Sequence, residues 1–199
     1  MYKPGFRWLL SFLILTLLAV CVPTIPAFAA SADNPDYTLL PGDRVIDNTD
    51  TAQVQRTGTW STSTSAGCYG ANALYTAPSD SKDRAVTYTP SALAAGYYDV
   101  YISYTSANNR ASNVPVDIYH DGELSTVLVD QKVNGYQWIS VGTYYFSADG
   151  TDFVRIRNAG TPTSGDGYVI ADAVRFSANA TVSQPTHRLQ SPIRNIERR

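Results

Sequence analysis

His120, His187, Cys21, Cys68, Glu123 and Glu197 are the sequence's whole stock of histidine, cysteine and glutamate. Acid–base or nucleophilic catalysis would have to be built from these and from aspartates. His120 stands beside the Asp121-Gly122 turn, where a solvent-facing or strand-capping imidazole explains it better than a general base. His187 falls in a tail that also carries prolines and arginines. No Gly-x-Ser-x-Gly run marks a nucleophile turn, and a Ser-His-Asp set would need such a turn and a third group. Glu123 sits next to a turn glycine, so a glycosidase-type carboxylate pair would rest on aspartates. Cys68 reads as a small packed side chain rather than a nucleophile. A small hydrolase is the least favoured reading; no enzymatic activity is expected.

A different chemistry is better supplied. The C–H face of a pyranose stacks on a flat aromatic ring, and its hydroxyls need planar donors and acceptors. Trp60, Tyr69, Tyr75, Tyr136 and Trp138 supply rings, and Asn108, Asn109, Arg110 and Asn113 supply polar partners from one loop. The expected ligand-binding set is Asn109, Arg110, Tyr136, Trp138 and Tyr69. Core packing accounts for Trp60 and Trp138 at least as well. For Asn109-Arg110 two readings stand side by side: ligand binding, or a loop stapled to itself with Arg110 paired to a buried acid such as Asp172. A third chemistry is oxygen ligation. Asp47 and Asp172 are the metal candidates, with the turn Asp47-Asn48-Thr49-Asp50 able to bring further oxygens to calcium. No compact spacing of the EF-hand kind is present. No cofactor is required, and structural calcium is the one addition these residues admit.

The elements that must position these groups read as strands. In residues 168–176, period-two alternation sets Ile170, Val174 and Phe176 on one face with Asp172, and Val169, Ala171, Ala173 and Arg175 on the other. Apolar residues on both faces mark a central strand, so Asp172 is a carboxylate in an apolar setting that needs a partner. Upstream, Val45 to Asn48 reads as a first strand and turn, and Gln53 to Trp60 as a second. Residues 61–83 form a long polar connection with Tyr69 and Tyr75, of a length usually reserved for functional or disordered loops. Residues 84–89 alternate. From Gly96, the residues Tyr98, Val100, Ile102 and Tyr104 face one way. Val114, Val116 and Ile118 lead to the hairpin signal Asp121-Gly122 and a return over 124–129. Residues 138–141, 142–146 and 153–157 follow, then a Gly-rich loop over 160–167. Eight to ten short strands without a helix make an all-β fold, a jelly-roll-like antiparallel β-sandwich. After Phe176 the periodicity stops, and 177–199 reads as a flexible basic tail.

Bulk composition agrees. Aromatics are 12% and charged residues only 16% of 199 residues, a balance of secreted β domains more than of cytosolic helical ones. Lys3 and Arg7, an apolar run over 8–22 and Ala27-Phe28-Ala29 read as a secretory signal peptide over 1–29, cut near Ala29 or Ala30. Cleavage would remove Cys21 and leave Cys68 without an internal disulfide partner. Setting aside Lys3, Arg7, Arg188, Arg194, Arg198, Arg199 and Glu197 leaves nine basic against sixteen acidic residues, near −7. Such a charge argues against nucleic acid or an anionic membrane as partner. No membrane span is expected once the signal is cut.

Certain runs taken together are similar to a known family. They include Asp47-Asn48, Gly58-Thr59-Trp60, Tyr69-Gly70, Asn109-Arg110-Ala111, Val114-Pro115-Val116, His120, Asp130-Gln131, Asn134-Gly135, Trp138, Gly142-Thr143-Tyr144 and the residues 169–176. In this order, over 45–176, the chain resembles the golvesin C-terminal-like, or xanthan-lyase-type carbohydrate-binding-like, domain. The resemblance implies a β-sandwich module of secreted or cell-surface proteins that binds rather than cleaves. The organisation expected is a signal peptide at 1–29, a leader at 30–44, the sandwich at 45–176 and the tail. The partner expected is an extracellular polysaccharide or cell-envelope glycan, and the place is outside the cell, on its surface or in the periplasm. The rival is a structural or adhesive protein-interaction module. Exposed aromatics beside Asn109-Arg110 would favour sugar; aromatics spread over a flat sheet would favour assembly.

Overall fold

Period-two burial decides the frame of the molecule. In the computed structural model, residues 30–78, 84–159 and 167–182 are described. Residues 1–29, expected as a signal peptide, residues 160–166, expected as a Gly-rich loop, and residues 183–199, His187 included, lie outside them. Along the chain the strands are β1 (Arg44–Asp47), β2 (Val54–Thr57), β3 (Ser61–Ser63), β4 (Ala73–Thr76), β5 (Ala85–Tyr88) and β6 (Gly96–Ile102). There follow β7 (Val114–His120), β8 (Glu123–Val129), β9 (Ile139–Phe146), β10 (Phe153–Arg157), β11 (Val169–Ala171) and β12 (Ala173–Ala178). Every strand pairing is antiparallel. No helix occurs among the described residues, so none there is long and apolar enough to cross a membrane.

The sheets are ordered β1-β12-β6-β9, β2-β5-β10-β7-β8 and β11-β4-β3. Ile46, Val100, Ile102, Val174 and Phe176 of the first share one core with Val86, Tyr88, Val116, Ile118, Val154 and Ile156 of the second. That shared core makes the all-β fold sandwich-like. Each such side chain, fully buried, contributes roughly 1.5–3 kcal/mol relative to exposure. The β7–β8 hairpin closes on Asp121 and Gly122 with φ of 48° and 79°. Both are left-handed, as a turn matched to strand twist requires.

Three departures from the sequence pattern have local causes. The run over 138–146 reads as two strands but is one, because Val100 pairs with Gly142 while Tyr101 pairs with Ser140, and Val141 bulges between them. The connection 61–83 holds β3, Ser-Thr-Ser, and β4, Ala-Leu-Tyr-Thr, strands of three and four residues too short for alternation to show. The stretch 168–176 is broken at Asp172: β11 pairs with β4, whereas β12 lies between β1 and β6. The chain thus changes sheets at this one residue. Its last strand also runs two residues past Phe176, to Ala178, and Asn179 is held by Tyr97 O at 2.9 Å and by the Asp99 carboxylate at 3.0 Å.

The leader is fastened to the sandwich. Asp36 bridges Gln137 in parallel, the Tyr37 hydroxyl donates to Gly67 O at 2.9 Å, and Arg175 Nη1 donates to Thr38 O at 2.9 Å. The Arg175 guanidinium lies over the Tyr101 ring, 3.9 Å from its centroid.

Candidate ligand-binding site

One end of the sandwich gathers the chemistry. Gly167 leads into Tyr168 and β11, and the loop 105–113 crosses beside them. Tyr168 N–H donates to Asn109 O at 2.8 Å, and Ala111 N–H donates to Tyr168 O at 3.0 Å. Gly167 lies so close that a Cβ there would fall 1.6 Å from Asn109 O. Only glycine lets the two backbones meet. On the other side, β4 sets Tyr75 opposite Ile170 of β11 and opposite Ser61 of β3. The Tyr75 and Tyr168 rings therefore meet edge to face, centroids 5.5 Å apart at 86°.

Between these walls lies an open cleft of about 400 Å³, lined by residues that include Ser63, Ser65, Tyr75, Asn109, Arg110 and Tyr168. Tyr168 remains 40% exposed at its mouth, although it flanks a fully buried strand. Arg110 is fixed by its own loop: Nε donates to Thr105 O at 3.1 Å and Nη1 to Asn109 Oδ1 at 2.6 Å. Burial pulls its guanidinium below the usual arginine range, while the neighbouring Tyr136, Cys68 and Tyr168 act the other way. Of the two readings for Asn109-Arg110, the self-stapled loop is present, but its partner is Thr105 and not Asp172.

Asp172 is fully buried, and its Oδ2 accepts the Tyr69 N–H at 2.9 Å. Burial pushes its carboxyl up to about 8; the Tyr69 N–H and Ser103 oppose the rise, and the charge on Asp47 adds to it. Asp47 Oδ1 accepts from Thr49 N–H at 2.9 Å and from the Thr49 hydroxyl, and Gly70 abuts Asp47 Oδ2. The two metal candidates are thus drawn to one place, against the Tyr69-Gly70 turn. Among the described residues no three His, Cys, Asp or Glu side chains cluster as metal ligands. Cys68 is half-buried with its thiol turned to Ser65 O at 3.2 Å, and burial pushes it up to about 11. It stays a protonated thiol at neutral pH.

Tyr69, Tyr136 and Trp138 do not line this cleft. Tyr69 and Trp138 form an aromatic cluster with Tyr37, centroids 5.1–5.5 Å apart, which seats the leader. Trp138 also lines a shallower hollow with Asp36, Thr38, Gln137 and Arg175. Tyr136 packs against Gly67 and donates its hydroxyl to Ser106 O at 2.6 Å, which props the loop carrying Asn109 and Arg110. Trp60 packs against the core and donates to Thr57 O. Sequence reasoning missed Tyr168 as a site residue. The Gly-rich loop ahead of it was the available signal, since close backbone approach needs glycine.

Residues 44–178 match the golvesin C-terminal domain. The chain belongs to the golvesin C-terminal domain family. This golvesin-type domain is 44% identical over 137 residues to the xanthan lyase of Bacillus sp. (strain GL1), covering 67% of this chain and 14% of that enzyme. It also superposes on the solved Paenibacillus xanthan lyase with a TM-score of 0.64 at 37% identity, over 69% of this chain and 13% of that one. The golvesin-type domain is thus homologous to a small part of a far longer enzyme. The family expected from the sequence is the family found.

Proposed function

We propose that this chain is a secreted, non-catalytic module that binds an extracellular polysaccharide or cell-envelope glycan in the cleft beside Asn109 and Arg110. One observation carries the reading: the exposed Tyr168, braced edge to face by the partly buried Tyr75, stands next to the Asn109-Arg110 loop in one open cleft. Tyr168 offers a ring for the C–H face of a sugar, and Asn109, Arg110, Ser63 and Ser65 offer hydrogen-bonding groups for its hydroxyls. Homology to a part of xanthan lyase supports a polysaccharide as the class of ligand, xanthan being the first to try. Tyr136 holds the loop of Asn109 and Arg110 through Ser106 in this reading, and Tyr69 and Trp138 seat residues 36–38.

The test is retention of the purified protein on xanthan, other polysaccharides and isolated cell envelopes. Tyr168→Ala should weaken retention on the preferred glycan roughly tenfold or more while leaving the melting midpoint close to wild type. Retention that survives Tyr168→Ala and Asn109→Ala together would remove the ligand from this cleft. The adhesive alternative has its own observation, Leu124 and Leu128 standing 55% and 65% exposed on edge strand β8. Self-association lost in Leu128→Lys, with no retention on any glycan, would select it.

A further inference from the structure

Two acidic side chains meet where β1, the β11–β12 break and the turn after β3 come together. Asp47 is in register with Ala173, the residue that follows Asp172. Tyr69 N–H holds Asp172 Oδ2, and the next residue, Gly70, lies against Asp47 Oδ2, where an added Cβ would sit 3.0 Å from that oxygen. One peptide therefore separates the two carboxylates.

Each carboxylate has one oxygen unsatisfied. Asp172 Oδ1 and Asp47 Oδ2 are buried with no hydrogen-bond partner, and so is the amide oxygen Oδ1 of the adjacent Asn48. Asp172 is 0% and Asn48 1% exposed. The hydroxyl of Ser103, which also neighbours Asp172 and favours its charged form, accepts the Ala173 N–H at 2.9 Å and donates to Ala173 O at 3.4 Å. A buried, unpartnered carboxylate oxygen costs free energy, and two adjacent ones compound it through like-charge repulsion. No arginine or lysine pairs with either acid among the described residues. A cation would answer both carboxylate oxygens at once. Carboxylate and amide oxygens are hard ligands, suited to calcium, which tolerates six to eight of them in irregular geometry.

We propose that Asp47 and Asp172 hold a structural calcium ion at the seam where the chain changes sheets. The ion ties β1 and the β11–β12 break to the turn that carries Cys68 and Tyr69. It stands apart from the glycan cleft and does not depend on sugar being bound there.

The test uses the purified protein, stripped with chelator and dialysed free of it. Equilibrium dialysis with radioactive calcium should show one saturable site per chain. Calcium at a hundredfold excess over its Kd should raise the melting midpoint by roughly 5–10 °C. Asp172→Asn should abolish both effects. Asp47→Asn keeps an oxygen for the Thr49 turn, so it should fold and bind calcium at least tenfold more weakly. Absence of saturable binding by wild type would overturn the proposal and leave a proton shared between the two carboxyls as the answer to their burial. Equal affinity in wild type and Asp47→Asn would overturn the ligand assignment.

Discussion

Asp117 and Asp172 are both fully buried aspartates, and their surroundings send them in opposite directions. Burial raises Asp117 too, but hydrogen bonds from Arg157, Arg155 and Thr126 outweigh it and hold the carboxyl below the ordinary aspartate range. Arg155 reaches it at 2.8 Å and Arg157 at 2.7 Å. Because the folded value is depressed, the stability Asp117 contributes is present above its unfolded value. It is lost as pH falls through the lower folded one. Asp117→Asn should therefore cost about 2 kcal/mol at pH 7. The gap from wild type should narrow as pH drops below ~4. Urea midpoints for both proteins between pH 7 and pH 3 check this, and a gap constant with pH would assign the cost to packing alone.

At the scale of elements, the cleft depends on how closely β11 can approach the loop 105–113. Gly167→Ala should shift or break the contact with Asn109, costing ~1–3 kcal/mol or more. It should also move Tyr168 away from Arg110. The expected outcome is a lower melting midpoint together with weaker glycan retention than the loss of stability explains. Retention at wild-type strength would mean that the cleft tolerates displacement of its wall. The β7–β8 hairpin offers the contrast. Nothing lies within 4 Å of a Cβ placed on Gly122, so only its φ of 79° resists substitution. Gly122→Ala should cost about 1 kcal/mol through the backbone and leave binding unchanged, as titration with the same polysaccharide would show.

Across the whole molecule, the leader acts as a strap on the site-bearing end. Tyr37 meets Tyr69 and Trp138, and its hydroxyl reaches Gly67 in the turn that precedes Tyr69. Burial pushes that hydroxyl well above the usual tyrosine range, so it remains a neutral donor. Tyr37→Phe removes one hydrogen bond, worth about 1 kcal/mol. Hydrogen exchange should then speed up at residues 63–70 while the five-stranded sheet stays protected. Uniform acceleration over both regions would instead make the strap part of the global fold.

The sequence by itself determined the all-β class, the faces of β6 and β7, the Asp121-Gly122 turn, the central burial of residues 169–176 and the family. These follow from period-two alternation and turn chemistry, which neighbours along the chain already express. Asn109 and Arg110 were legible as site candidates because polar planar groups concentrated in one loop are a local signal. Tertiary structure alone decided the rest. Strand β4 lies between β11 and β3, and four residues of Ala-Leu-Tyr-Thr beside a three-residue Ser-Thr-Ser strand are too short to announce that pairing. Tyr168 became a cleft wall, and Tyr69 and Trp138 became the seat of the leader, because an aromatic side chain fits a core, a strap or a ligand equally well until its neighbours are placed. Asp172 looked like one buried acid in one strand. Only the change of sheets at that residue set it beside Asp47, since strand alternation carries no information about which sheet a residue will join.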